Sequence, residues 1–155
     1  MIAYRTGDAL EVDPTILRTV IAHVCNNRGG WGAGFTGAIS RKWRWVEDAY
    51  RRMGSRKLGS VQWVAVDVHI SVVNMIAQEG YSQPRKPAIR YGALHECLSK
   101  LGGSLRASAI KNSCRIQMPR IGCGLAGGEW SKIEPMLEEH LEDFDVHVYD
   151  LPGAP

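Results

Sequence analysis

The 155-residue sequence predicts a layered α/β fold built around a mixed β-sheet. Three observations lead there. Short β-branched runs alternate along the chain with stretches whose apolar residues recur at three- and four-residue steps. Two neighbouring valine-rich runs are separated by a polar turn, as in an antiparallel hairpin. The length suits one core able to bury roughly two-thirds of the unfolded surface. With no internal repeat and no long linker, residues 1–151 read as a single domain, and 152–155 as a disordered C-terminal tail.

Each element has its own signal. Ile2 to Arg5 form a short strand ended by Gly7-Asp8, and Asp8 to Pro14 is turn-like. Val20 to Cys25 is short, β-branched and closed by Asn26-Asn27, so it reads as a buried strand. Phe35, Ile39, Trp43, Val46 and Tyr50 mark a helix, or a broken pair of helices, running to about Met53 and stopped by Gly54. Val61 to Val66 and Val68 to Ile76 form the hairpin, turning at Asp67 to His69. Glu79 to Pro87, with Pro84 and Pro87, is a loop. Arg90 to Leu101 is an amphipathic helix with Ala93, Leu94, Cys97, Leu98 and Leu101 on one face, and Gly102-Gly103 is expected to interrupt or end it. Cys114 to Met118 is a strand, and Ser131 to Leu141 a helix. There Ser131-x-x-Glu134 reads as a capping box, while Pro135 pulls the expected start toward Glu134. Val146 to Tyr149 is the last strand.

Composition removes several classes of function. A net charge of 19 − 16 = +3 is weak and dispersed, and the basic run Arg41 to Arg44 is broken by Trp43. Basic residues are not interleaved with exposed aromatics, so nucleic acid is expected only as a modified substrate. The most apolar stretch, Val61 to Ala77, carries Gln62, Asp67, His69 and Asn74 and cannot span a membrane. No apolar h-region follows Met1 to Arg5, and Cys25, Cys97, Cys114 and Cys123 are scattered as reduced thiols are. The expectation is a cytoplasmic monomer. Cysteine and histidine spacing shows no ligand cluster, so neither metal nor cofactor is expected.

The 17 glycines are unevenly placed: five fall within Gly29 to Gly37 and four within Gly122 to Gly128. Each cluster joins a strand to a helix. A glycine-rich loop opening a helix presents backbone N–H groups and the positive end of a helix dipole to an anion, most naturally phosphate. Two such loops at one end of a sheet would clasp a pyrophosphate; alternatively, both are tight structural turns. Gly32-Ala33-Gly34-Phe35-Thr36-Gly37 formally matches G-x-G-x-x-G. A dinucleotide-binding motif needs its first glycine directly after the strand and an acid about 20 positions on. Here Asn26 to Trp31 intervene and the later region is basic, Arg51-Arg52.

Gly7-Asp8 after the first strand, His23-Val24-Cys25-Asn26 running into Gly30-Trp31-Gly32-Ala33-Gly34-Phe35, and Met118-Pro119-Arg120-Ile121-Gly122-Cys123-Gly124-Leu125 together resemble the macro domain family, over about Tyr4 to Leu151. The third string is like the branch of terminal ADP-ribose protein glycohydrolases and the loop with Trp31 like the ADP-ribose 1''-phosphate phosphatases. The resemblance implies a three-layer α/β/α fold with ADP-ribose, or a derivative of it, as ligand. Asp8 and Ala9 would meet the adenine, with Tyr149 or Asp150 bordering it, and Asn26 would hold the distal ribose hydroxyls. Trp31, Gly32, Ala33, Gly34 and Phe35, with Arg120, Ile121, Gly122, Cys123, Gly124 and Leu125, would enclose the diphosphate and distal ribose. Bland readings stand beside these: an Asx-turn at Asp8, a turn at Asn26, a core anchor at Trp31, a surface charge at Arg120.

The departures bear on chemistry. The glycohydrolase pattern has a lysine where this chain has Gln78 and an aspartate where it has Ala126. An amide forms no Schiff base and alanine moves no proton. His23 stands where many members of the family have a distal-ribose asparagine. The resemblance therefore implies hydrolysis of ADP-ribose 1''-phosphate to ADP-ribose and phosphate, with His23 as base, acid or nucleophile. The alternatives are a non-catalytic ADP-ribose binder, or removal of ADP-ribose from protein or nucleic acid by a mechanism without the lysine–aspartate pair. For His23 the bland reading is a buried strand histidine.

Overall fold

In the computed structural model, which describes residues 2–83, 86–109 and 111–153, the strands are β1 (Ile2–Thr6), β2 (Arg18–Asn26), β3 (Val61–Ala65), β4 (Ile70–Gln78), β5 (Cys114–Pro119) and β6 (Asp145–Asp150). The helices are α1 (Phe35–Lys42), α2 (Trp45–Arg51), α3 (Tyr91–Arg106) and α4 (Trp130–Leu141). The strands form one sheet in the order β1-β6-β5-β2-β4-β3. Every pair is parallel except the β3–β4 hairpin, so the sheet is mixed.

Strand periodicity divides the core into two layers. Val20 and Ala22 of β2, with Val73 and Met75 of β4, face α3 and α4, where Leu94, Leu98, Leu101, Ile133 and Leu137 cover them. Ile21 and Val72 point the other way, beneath Ile39, Trp43 and Val46 of α1 and α2. Cys25 and Ile76 continue that second layer under Tyr50. Helices on both faces make the fold a three-layer α/β/α arrangement. No helix among the described residues is long and apolar enough to cross a membrane.

Three local expectations are refined. The helical stretch after Phe35 is a broken pair, parting at Trp43, whose N–H still bonds to the carbonyl of Ile39 at 2.7 Å. α3 runs through Gly102-Gly103 to Arg106. Gly102 faces α4 so closely that a Cβ would stand 2.6 Å from the carbonyl oxygen of His140, so this glycine admits a neighbouring backbone and ends nothing. α4 begins at Trp130 with Glu129 as N-cap and no side-chain cap, and Pro135 sits inside it. Packing overrides the local signal there: the Trp130 indole donates to Tyr4 Oη at 3.0 Å and Arg120 lies over its ring. Pro84 of the expected loop, and residues 154–155 of the expected tail, lie outside the described residues. Pro152 and Gly153 form a turn.

The five parallel strands bring their carboxyl ends to one edge. From there the chain leaves β2 toward α1 on one face and leaves β5 toward α4 on the other. Because β2 and β5 are neighbours, the two connections diverge and leave a crevice between them, the place where open α/β sheets bind ligands.

Candidate functional site

The crevice is a cleft of about 780 Å³. Asn26, Trp31, Ala33, Gly34 and Phe35 line one side, and Arg120, Ile121, Gly122, Gly124 and Leu125 the other. The size falls among small-molecule sites.

The first loop is held by Asn26. Its side-chain oxygen accepts the N–H groups of Arg28 and Gly30, each at 2.9 Å. The buried Tyr50 hydroxyl lies 2.8 Å from the same oxygen, donates to the Asn26 carbonyl at 2.6 Å and accepts the Gly29 N–H at 3.1 Å. With the oxygen so used, the amide Nδ2, only 3.4 Å from the Gly30 carbonyl, is the group Asn26 can turn to a ligand. Gly34 ends the loop as N-cap of α1 at φ 60, ψ −129, a conformation for glycine alone. No side chain caps α1 and its first turn has no acid, so its N–H groups and dipole stand at the cleft wall uncompensated. Across the cleft, the Gly128 N–H bonds back to the Gly122 carbonyl at 2.7 Å and closes the second loop on itself.

His23 lies at the back of the cleft, 2% exposed. Trp31 and Phe35 cover its ring, with centroids 5.6 and 5.7 Å away. Burial pushes its pKa down to about 4, opposed only by the hydrogen bond to Asn74, so the ring is neutral at physiological pH. Burial also raises the Cys25 thiol well above its usual value, which makes it inert. Arg120 is already engaged: it binds Asp150 through Nε and Nη2 at 2.8 and 3.0 Å, with its guanidinium over the rings of Tyr4 and Trp130. That ion pair keeps the Asp150 carboxyl below its usual range. Trp31 is a core anchor as well as a wall, donating to Ser40 Oγ at 2.7 Å and packing on Tyr50.

Asp8, Ala9 and Tyr149 lie further along the same edge, at the ends of β1 and β6, outside this cleft. The Gly7 N–H joins those strands, bonding to the Asp150 carbonyl at 2.8 Å. Asp8 makes an Asx-turn to the Leu10 N–H at 2.9 Å, and the Ala9 carbonyl accepts from Gln117 Nε2 at 2.9 Å. Gly32 and Cys123 belong to the two loops but do not line the cleft. Residues unforeseen from sequence do line it: Thr36, Arg51, Tyr81 and Ser82. Tyr81, 65% exposed, follows β4, the parallel neighbour of β2 that ends at the same edge; that adjacency was the available signal.

No protein-family model matches the chain. A macrodomain protein from Streptomyces coelicolor is 37% identical, superposes with a TM-score of 0.80, and is matched over 97% of this chain and 99% of its own. The chain belongs to the macrodomain family. Among curated proteins, this macrodomain is 26% identical to the ADP-ribose 1''-phosphate phosphatase of Lodderomyces elongisporus, over 96% of this chain and 97% of that protein. It is 25% identical to human ADP-ribose glycohydrolase OARD1, over 95% and 88%. Gln78 and Ala126 both line the macrodomain's cleft, and Gln78 Nε2 donates to the Gly80 carbonyl at 3.0 Å.

Proposed function

We propose that this macrodomain binds ADP-ribose through its diphosphate and hydrolyses ADP-ribose 1''-phosphate to ADP-ribose and inorganic phosphate. One observation carries the reading: among the described residues lining the cleft there are two arginines, no carboxylate and no lysine, and His23 is the single histidine. A wall of backbone N–H groups, a helix N-terminus and cations suits an anion with several oxygens. Without lysine or carboxylate, attack on the ribose carbon has no evident agent, whereas phosphoryl transfer needs chiefly positioning and charge stabilisation. The names of full-length curated relatives include that phosphatase activity.

In this reading the diphosphate lies between residues 32–35 and 121–125, the distal ribose beside Asn26 Nδ2, and the adenine along Asp8, Ala9 and Tyr149. Arg120, tied to Asp150, shapes the second loop. A water oxygen bonds to phosphorus while the bond from phosphorus to the ribose 1''-oxygen breaks. Neutral His23 takes the water proton, which ends on the departing oxygen. The protein acts as one domain over residues 1–151, a monomer in the cytoplasm, without a cofactor.

A specific observation favours a second reading, a non-catalytic ADP-ribose binder. His23 is buried under two aromatic rings with its hydrogen bond satisfied, as a core histidine would be. Phosphate release from ADP-ribose 1''-phosphate separates the two. Wild type is expected to release phosphate, and His23→Gln to lose at least tenfold in rate while still binding ADP-ribose. Undiminished release by the variant removes the role of His23, and tight ADP-ribose binding without release in wild type establishes the second reading.

A further inference from the structure

Where α3 meets α4, away from the cleft, the fold assembles a second cluster of ionisable groups. His95 and His140 are 45 residues apart in sequence, yet Nδ1 of His95 stands 2.9 Å from Nε2 of His140. Glu139 Oε2 lies 3.7 Å from the first nitrogen and 3.9 Å from the second. Among the described residues this is the one group of three possible metal-ligating side chains with its ligand atoms so close together.

Backbone packing builds this juxtaposition. Gly102, two turns beyond His95 on the same face of α3, lets the α4 backbone approach to the point where a Cβ would meet the His140 carbonyl. Arg106, one turn further, donates to that same carbonyl at 2.5 Å and grips both oxygens of Asp143 at 2.7 and 2.9 Å. The two imidazoles therefore ride on helices locked at their point of contact.

We propose that His95, His140 and Glu139 form a binding site for a divalent transition-metal ion of the zinc type. Zinc holds imidazole nitrogens and carboxylate oxygens at about 2.0–2.2 Å in a tetrahedron, which sets ligand atoms roughly 3.3 Å apart. The two Glu139 separations, 3.7 and 3.9 Å, close to that spacing by about half an ångström within the rotamer freedom of this exposed side chain, and the two ring nitrogens, 2.9 Å apart, part by about 0.4 Å through a small turn of the exposed His95 ring. Two imidazoles and one carboxylate select zinc, nickel, cobalt or copper over magnesium and calcium. Three protein ligands leave a fourth position for water. The bound ion staples α3 to α4, and this site is independent of the function proposed for the cleft.

The test is titration of the chelator-treated protein with cobalt(II) and zinc(II), read by visible absorption for cobalt and by the thermal midpoint for zinc. Wild type is expected to bind one ion per chain, to give the absorption of four-coordinate cobalt, and to melt several degrees higher with zinc but not with magnesium. His95→Gln and His140→Gln should each lose both signals, and Glu139→Gln should weaken binding about tenfold. A zinc response that persists in these variants places the ion elsewhere on the chain and overturns the proposal, as does no response in wild type. His95 is the more exposed of the two rings, so His95→Gln carries the test if His140→Gln fails to fold.

Discussion

His23 on β2 and Asn74 on β4 face each other across a parallel strand pair, and His23 Nε2 meets Asn74 Oδ1 at 2.5 Å. Asn74 Nδ2 donates to Gln62 Oε1 at 3.0 Å, so the Asn74 oxygen is turned toward the histidine and accepts its Nε2–H. The neutral ring then carries its lone pair on Nδ1. A buried histidine in that state has consequences for stability and for reactivity.

Stability should fall on acidification through a defined window. His23 has a folded pKa of about 4, below the ordinary 6.5 of an unfolded histidine. As pH falls from 6.5 toward 4 the unfolded chain takes up a proton that the native state refuses, so folding is progressively disfavoured; below about 4 this contribution levels off. At 1.36 kcal/mol per pKa unit, the loss amounts to about 3 kcal/mol. His140 and His147, also lowered chiefly by burial, act in the same sense. Thermal midpoints between pH 4 and 7 should drop more steeply for wild type than for His23→Gln, whose amide still donates to Asn74.

Asn26 does two separable things, and two substitutions part them. Asn26→Ala removes the acceptor for the Arg28 and Gly30 N–H groups and should cost about 1–3 kcal/mol of stability as well as ADP-ribose affinity. Asn26→Asp keeps the acceptor, loses the Nδ2 donor and sets a negative charge where the distal ribose of an anionic ligand is proposed to lie. It should melt closer to wild type than the alanine variant, yet bind ADP-ribose at least tenfold more weakly. Chemical denaturation and calorimetry on the same preparations read the two effects.

Gly34→Ala isolates backbone strain. A Cβ there would meet nothing closer than Leu125 Cδ1 at 3.7 Å, so there is room for it. The obstacle is φ 60, ψ −129, which a side chain disfavours by about 1–3 kcal/mol. The start of α1 should shift to relieve that strain, and ADP-ribose affinity should fall about tenfold while the melting point changes by only a few degrees.

The continuous β-branched runs of β2 and β4 and the two glycine clusters were legible in the chain because both depend on local physics: a strand buried on two faces, and a backbone that must turn. Gly102 misled for a related reason. Glycine usually marks an end, but here it marks where His140 comes close, and that neighbour lies far along the sequence. Ser131 likewise looked like a cap, and the anchoring of Trp130 by Tyr4 and Arg120 moved the helix start upstream. At the cleft, Asn26 and Phe35 stood out beside the glycines, whereas Arg51 and Tyr81 reach the wall from a helix end and a neighbouring loop, with no spacing to announce them. The pairing of His95 with His140 is of the same kind, visible only once α3 and α4 are packed.

The central claim is that the cleft between the β2 and β5 loops holds ADP-ribose. Isothermal titration of the purified protein with ADP-ribose tests it most directly. The expected result is saturable binding of one ligand per chain, weakened at least tenfold in Asn26→Asp. The absence of any binding heat at millimolar ADP-ribose, with the protein folded, would contradict it.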